Sequence, residues 1–109
     1  MVSHTYATSL TWTGSTGVGY RGYSRHHAVT AAPAAQELHL SADPSFRGDA
    51  DLLNPEQLVV AAASSCQLLS FLAVAARAGL DVVAYSDEAT AVMDLAADPP
   101  RLTSICTRW

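Results

Sequence analysis

The chain has 109 residues, half of them hydrophobic, which leaves room for one domain with a real core and no segment polar or repetitive enough for a disordered tail. Ten acidic residues against six basic ones give a net charge of −4, which argues against nucleic acid as the main partner. Two cysteines, Cys66 and Cys106, have no metal-site spacing, and two thiols in one soluble domain fit a reducing, cytoplasmic setting better than a disulfide framework.

The first ten residues, MVSHTYATSL, lack the basic start and long apolar core of a signal peptide. Alternation from Thr5 to Trp12 predicts a half-exposed strand, Gly14-Ser15-Thr16-Gly17 a turn, and the residues near Val18 to Tyr23 a second strand. Glu37-Leu38-His39-Leu40 alternates again and runs into a loop rich in Asp, Pro and Gly over residues 43–51.

Residues 54–79, NPEQLVVAAASSCQLLSFLAVAARAG, read as one long helix. Asn54 is a natural N-cap, Pro55 fits the first helical position, and Gly79 stands where a left-handed C-terminal residue belongs. No Gly or Pro interrupts Glu56 to Ala78, and a helix of this span is roughly 36 Å long at about 1.5 Å per residue. It is apolar around most of its circumference, which predicts burial on more than one side. The length would suffice to cross a bilayer, but Ser64, Ser65, Gln67 and Ser70 break the run and no one-sided basic flank accompanies it, so no membrane partner is expected.

After the helix, Val82 to Leu95 reads as a long strand, Asp98-Pro99-Pro100 as a turn and Leu102 to Thr107 as the hairpin partner. Strands, one helix, then strands predict an α+β fold with the helix laid on an antiparallel sheet.

At Asn54-Pro55-Glu56, with Cys66 ten residues beyond the Glu, the sequence resembles the OsmC/Ohr family of thiol-dependent hydroperoxide reductases. The preceding SADPSFRGD (residues 41–49) and the Ser64-Ser65-Cys66 surroundings resemble one branch of it. The resemblance runs from about residue 4 to residue 105 and implies an OsmC-like domain over 1–109: an antiparallel β-sheet packed on a long central helix, in an intertwined homodimer. It implies reduction of organic hydroperoxides in oxidative stress defence, by a peroxiredoxin-like oxidoreductase without cofactor or metal. Cys66 would be the peroxidatic thiol, with Glu56 and an Arg as its activating partners and dihydrolipoyl or other small thiols as reductants. Family members continue through a second helix that carries a resolving Cys. This sequence stops at Trp109, so the C-terminal portion of the family domain is expected to be missing and any turnover to need external thiol. Cys106, on an expected strand, takes no resolving role.

The residues support such chemistry on their own terms. Burial in an apolar helix disfavours a thiolate, so activation needs a nearby cation. Arg suits this best, because it stays charged when desolvated and a carboxylate holds its planar fork by paired hydrogen bonds. Two candidates stay open: Arg47, in the loop before Asn54, and Arg25, after the first expected hairpin. Arg21, Arg77, Arg101 and Arg108 read as solvated charges. Glu56 and Cys66 stand about 15 Å apart along one straight helix, so a Glu56 that positions the Arg must serve the Cys66 of a second chain.

Blander readings accompany each feature. A lone helical Cys is usually packing, and Asn-Pro-Glu is a good helix start in any protein. Neighbouring His26 and His27 point to opposite faces of a strand and read as solvated rather than as a metal site. Trp12 and Trp109, with Tyr20 and Tyr23, are expected to cover the edge of the core. The alternatives to the enzyme are a non-catalytic dimer that uses its apolar helix seam for partners or small hydrophobic ligands, and, third, a small membrane-associated protein.

Overall fold

The computed structural model describes residues 3–94 and 101–108. Six main elements follow one another: β1 (Ser9–Thr11), β2 (His27–Thr30), β3 (Glu37–Leu40), the helix α1 (Pro55–Arg77), β4 (Glu88–Asp94) and β5 (Arg101–Arg108). The class is α+β, as the order of sequence signals predicts. The chain divides into two compact units, Met1–Pro55 and Glu56–Trp109.

The first unit is built on a three-stranded antiparallel sheet in the order β1-β2-β3. Leu10 pairs with Val29, and Val29 with Leu38, so one apolar row crosses the sheet. The adjacent row, Thr11-Ala28-His39, lies on the opposite face, as the period of two demands. Leu40 at the end of β3 is buried, and its backbone forms a parallel bridge with Leu53.

Two expectations for this unit are corrected. The first strand covers only Ser9–Thr11 of the expected 5–12, and no strand forms at 18–23. Thr16–Val18 instead makes a short 3-10 turn, capped by the Ser15 hydroxyl, which accepts from the Gly17 amide at 3.2 Å. Gly19 follows at φ 93°, a conformation open to glycine and costly for Tyr or Val, so the segment curls away from any ladder. The second strand begins only at His27.

In the second unit α1 runs for 23 residues and ends in a Schellman motif. The Leu80 amide donates to the Ala75 carbonyl at 2.9 Å, the Gly79 amide donates to that of Ala76 at 3.1 Å, and Gly79 adopts φ 77°. The expected burial on several sides is not found. Ala75 is the one buried residue among those of α1, while Leu69 and Val74 are 63% and 64% exposed. Apolarity around the circumference shows what a helix can bury, but only neighbouring elements decide what it does bury. By length and composition α1 could cross a bilayer, a property that core helices of soluble proteins share.

β4 and β5 form an antiparallel hairpin in which Glu88 pairs with Arg108 and Thr90 with Cys106, with an irregularity between Val92 and Met93. β4 starts at Glu88 rather than at Val82, because the residues before it are held to the helix by side chains. Ser64 Oγ donates to Asp87 Oδ1, Tyr85 OH donates to Asp87 Oδ2 at 2.9 Å, and the rings of Phe71 and Tyr85 meet at 5.8 Å. The expected turn at Asp98-Pro99-Pro100 and the place of Trp109 lie outside the described residues.

Candidate functional site

The candidate residues fall on both units: Arg25 and Arg47 on the first, Glu56 and Cys66 on the second. Arg47 sits on a loop that the local sequence folds tightly. Asp43 caps a 3-10 turn over Pro44–Phe46, its carboxylate accepting from the Ser45 amide at 2.8 Å and the Ser45 hydroxyl at 2.6 Å. These hydrogen bonds to Ser45, the hydroxyl first and the amide second, hold the Asp43 carboxyl below its usual range. Arg47 closes the turn in the left-handed region, at φ 66° and ψ 28°, with its amide donating to the Pro44 carbonyl at 3.0 Å.

The rest of the loop is fixed from below. Ser41 is buried, its hydroxyl accepts from the Asp49 amide at 3.0 Å, and its own amide donates to the Leu53 carbonyl at 2.9 Å. A Cβ at position 48 would stand 1.6 Å from the Ala42 carbonyl oxygen, so the chain passes there only as Gly48. The Arg47 side chain is exposed, with no hydrogen bond or ion pair among the described residues.

Arg25 is placed otherwise. Its guanidinium donates to the carbonyls of Tyr23 at 2.6 Å and Tyr20 at 2.5 Å, and stacks over their rings at 3.7 and 4.6 Å from the centroids. Trp12 joins the cluster edge-on to Tyr23 at 6.2 Å. These aromatics, expected to cover a core edge, form a local cage for a cation. Arg25 is thereby committed to its own segment.

Cys66 is a free, exposed cysteine on α1. This corrects the expectation of a buried thiol: the apolar residues around it in sequence do not enclose it. Glu56 lies half-buried in the first helical turn, where a carboxylate complements the helix dipole. The one helix that carries both keeps them about 15 Å apart along its axis, so the two side chains do not meet in one chain.

Two groupings escape a reading by sequence. One is Ser64–Asp87–Tyr85, in which burial first, and then the hydrogen bond and negative charge of Asp87, push the Tyr85 hydroxyl above its ordinary pKa. The other is the pair His26 and His39, whose ring nitrogens approach to 2.8 Å. Alternation predicts that His39 lies in a strand, but nothing local identifies its partner, which depends on the register of β2 against β3. No group of three or more His, Cys, Asp or Glu among the described residues could hold a metal ion.

The family model described as OsmC-like protein matches residues 48–109, a segment that includes Glu56 and Cys66. Among solved structures, an OsmC-like protein of unknown function from Vibrio cholerae O1 biovar eltor is similar over 96% of this chain and 72% of its own. The TM-score is 0.83 at 24% sequence identity, a likeness of fold. No curated protein matches the sequence.

Proposed function

Because this chain belongs to the OsmC-like protein family, we propose that it reduces organic hydroperoxides through the thiol of Cys66. The observation that carries the reading is an exposed, free thiol midway along α1, inside the segment that the family model matches. In the reaction the Cys66 thiolate attacks the distal oxygen of the hydroperoxide. An S–O bond forms as the O–O bond breaks, and the departing alkoxide takes a proton to become the alcohol. The sulfur is then a sulfenic acid, oxidised by two electrons. An external thiol displaces water from it to give a mixed disulfide, and a second thiol releases Cys66 with formation of the reductant's disulfide. Dihydrolipoyl groups or other small thiols suit this role.

Arg47 is the activating cation in this reading, because its guanidinium is exposed and uncommitted while that of Arg25 is caged. A carboxylate must hold the guanidinium in place, and Glu56 cannot do so beside its own chain's Cys66. Two copies of α1 packed antiparallel about a two-fold axis solve the geometry. The midpoint of positions 56 and 66 is position 61, so the axis passes at Ala61-Ala62-Ala63, where small side chains permit close approach. Glu56 of one chain then lies level with the partner's Cys66, and Val59 with the partner's Ala63.

The test is labelling by a sulfenic-acid probe after exposure to cumene hydroperoxide. Label on Cys66 in the wild type and none on the Cys66→Ser chain is the expected result. Equal labelling of the two chains, or none of the wild type, would refute a peroxidatic Cys66.

A further inference from the structure

We propose that His26 and His39 form a binding site for a borderline divalent transition cation such as Zn2+ on the β2–β3 face. His39 pairs with Ala28, and His26 lies two residues before Ala28 on the same chain segment, so the two imidazoles share one face as diagonal neighbours. His26 Nε2 and His39 Nδ1 are 2.8 Å apart, with ring centroids at 5.0 Å and planes inclined by 48°. At that distance the two nitrogens share one proton, and once it is displaced both lone pairs are available to one ion, the donor type that suits Zn2+, Cu2+ and Ni2+.

The surroundings fit an ion. The pair borders a hollow of about 180 Å³ lined also by Thr11, Trp12, Thr13 and His27, which has room for a cation and its remaining waters. Zn–N bonds of about 2.0–2.1 Å in tetrahedral geometry set two ligand nitrogens about 3.3 Å apart, so the exposed rings need to open by about half an ångström and to turn their facing nitrogens toward the ion. The far nitrogen of His39, Nε2, is 3.9 Å from Glu37 Oε1. A carboxylate behind a ligating imidazole fixes its tautomer and raises its basicity, and Glu37 stands in that place. His27 is turned to other work, its Nδ1 lying 2.8 Å from the Arg25 carbonyl oxygen.

In the metal-free pair one proton lies between the facing nitrogens. On binding it moves to Nδ1 of His26, while His39 keeps its Nε2 proton toward Glu37. With two protein ligands and water completing the shell, the site is exchangeable, unlike the closed four-ligand shell of structural zinc.

Zinc chloride titrated into the full chain, followed through the imidazole carbon–proton resonances in NMR spectra, tests this site apart from the thiols. The ring signals of His26 and His39 should move together along one saturation curve, with that of His4 unmoved. His26→Gln should abolish the response of His39, and His39→Gln that of His26. Glu37→Gln should raise the midpoint about tenfold. Zinc taken up only by Cys66 or Cys106 with both rings unmoved would overturn the proposal, as would a response of either ring that survives loss of the other. An unchanged midpoint in Glu37→Gln would remove Glu37 from the site.

Discussion

Replacing Arg47 by glycine should separate folding from function. The residue stands at φ 66°, where an L side chain costs about 1–2 kcal/mol relative to the right-handed region. Glycine removes that cost and adds about 0.5–1 kcal/mol of unfolded-chain entropy. The Arg47 side chain makes no hydrogen bond or ion pair among the described residues, and its amide bond to Pro44 survives the change. The balance lies between no change and about 1.5 kcal/mol of added stability, measurable by urea unfolding followed through tryptophan fluorescence. If Arg47 supplies the positive charge beside the reacting sulfur, the same substitution should slow Cys66 oxidation by cumene hydroperoxide about 10²- to 10³-fold, the usual effect of removing one positioned electrostatic group. A residue held in a costly backbone state with nothing to stabilise locally is the pattern expected where function retains it. Destabilisation by more than about 1 kcal/mol would refute the account of the loop. Unchanged oxidation kinetics would refute the role of Arg47.

Two further outcomes test the arrangement. Ala63→Trp places a large ring beside the inferred two-fold axis, so sedimentation equilibrium should show a loss of dimer together with loss of Cys66 sulfenic labelling, and a dimer that persists would contradict the antiparallel crossing. Asp87→Asn should bring the tyrosinate titration of Tyr85 down toward its ordinary value of 10.0. The raised value means that this hydroxyl contributes stability throughout the range below pH 10.0 and loses it as pH rises through the higher folded midpoint. Four tyrosines that titrate together in both proteins would show that the Asp87 contact is not made in solution.

The elements that the sequence makes legible are those whose ends carry their own chemistry. Asn54-Pro55 and Gly79 bracket α1 because a helix must begin where its amides need no partners and end where a left-handed residue can turn back. Glu37–Leu40 and the β4–β5 hairpin follow from period-two alternation. The strand expected at 18–23 fails for a local reason. Val18, Tyr20 and Tyr23 favour strands, but Gly17, Gly19 and Gly22 free the backbone between them, and Arg25 then draws the Tyr20 and Tyr23 carbonyls toward itself. β4 loses residues 82–87 because Asp87 bonds to Ser64, a contact across 23 positions that no short window contains.

The candidate site divides along the same line. The separation of Glu56 from Cys66 is fixed by helical rise alone, so the need for a second chain is readable from the sequence once both residues are given roles. The posture of Arg47 is almost as local: Asp43-Pro44-Ser45 is a capped turn start, and the residue that closes the turn goes left-handed, a place glycine fills without cost and Arg47 fills here. What the sequence could not give is the exposure of Cys66, since solvent access depends on what covers α1 rather than on what α1 is made of. That exposure reverses what the apolar sequence of the helix predicts. The thiol shares α1 with Val59, Leu69 and Val74, all open to water, and each such large side chain forgoes about 1.5–3 kcal/mol until something covers it. A second copy of the same helix would cover apolar surface and bring a carboxylate level with the sulfur in one step. In the proposed arrangement dimer formation and completion of the site are one event, so a change that prevents the first should abolish the second.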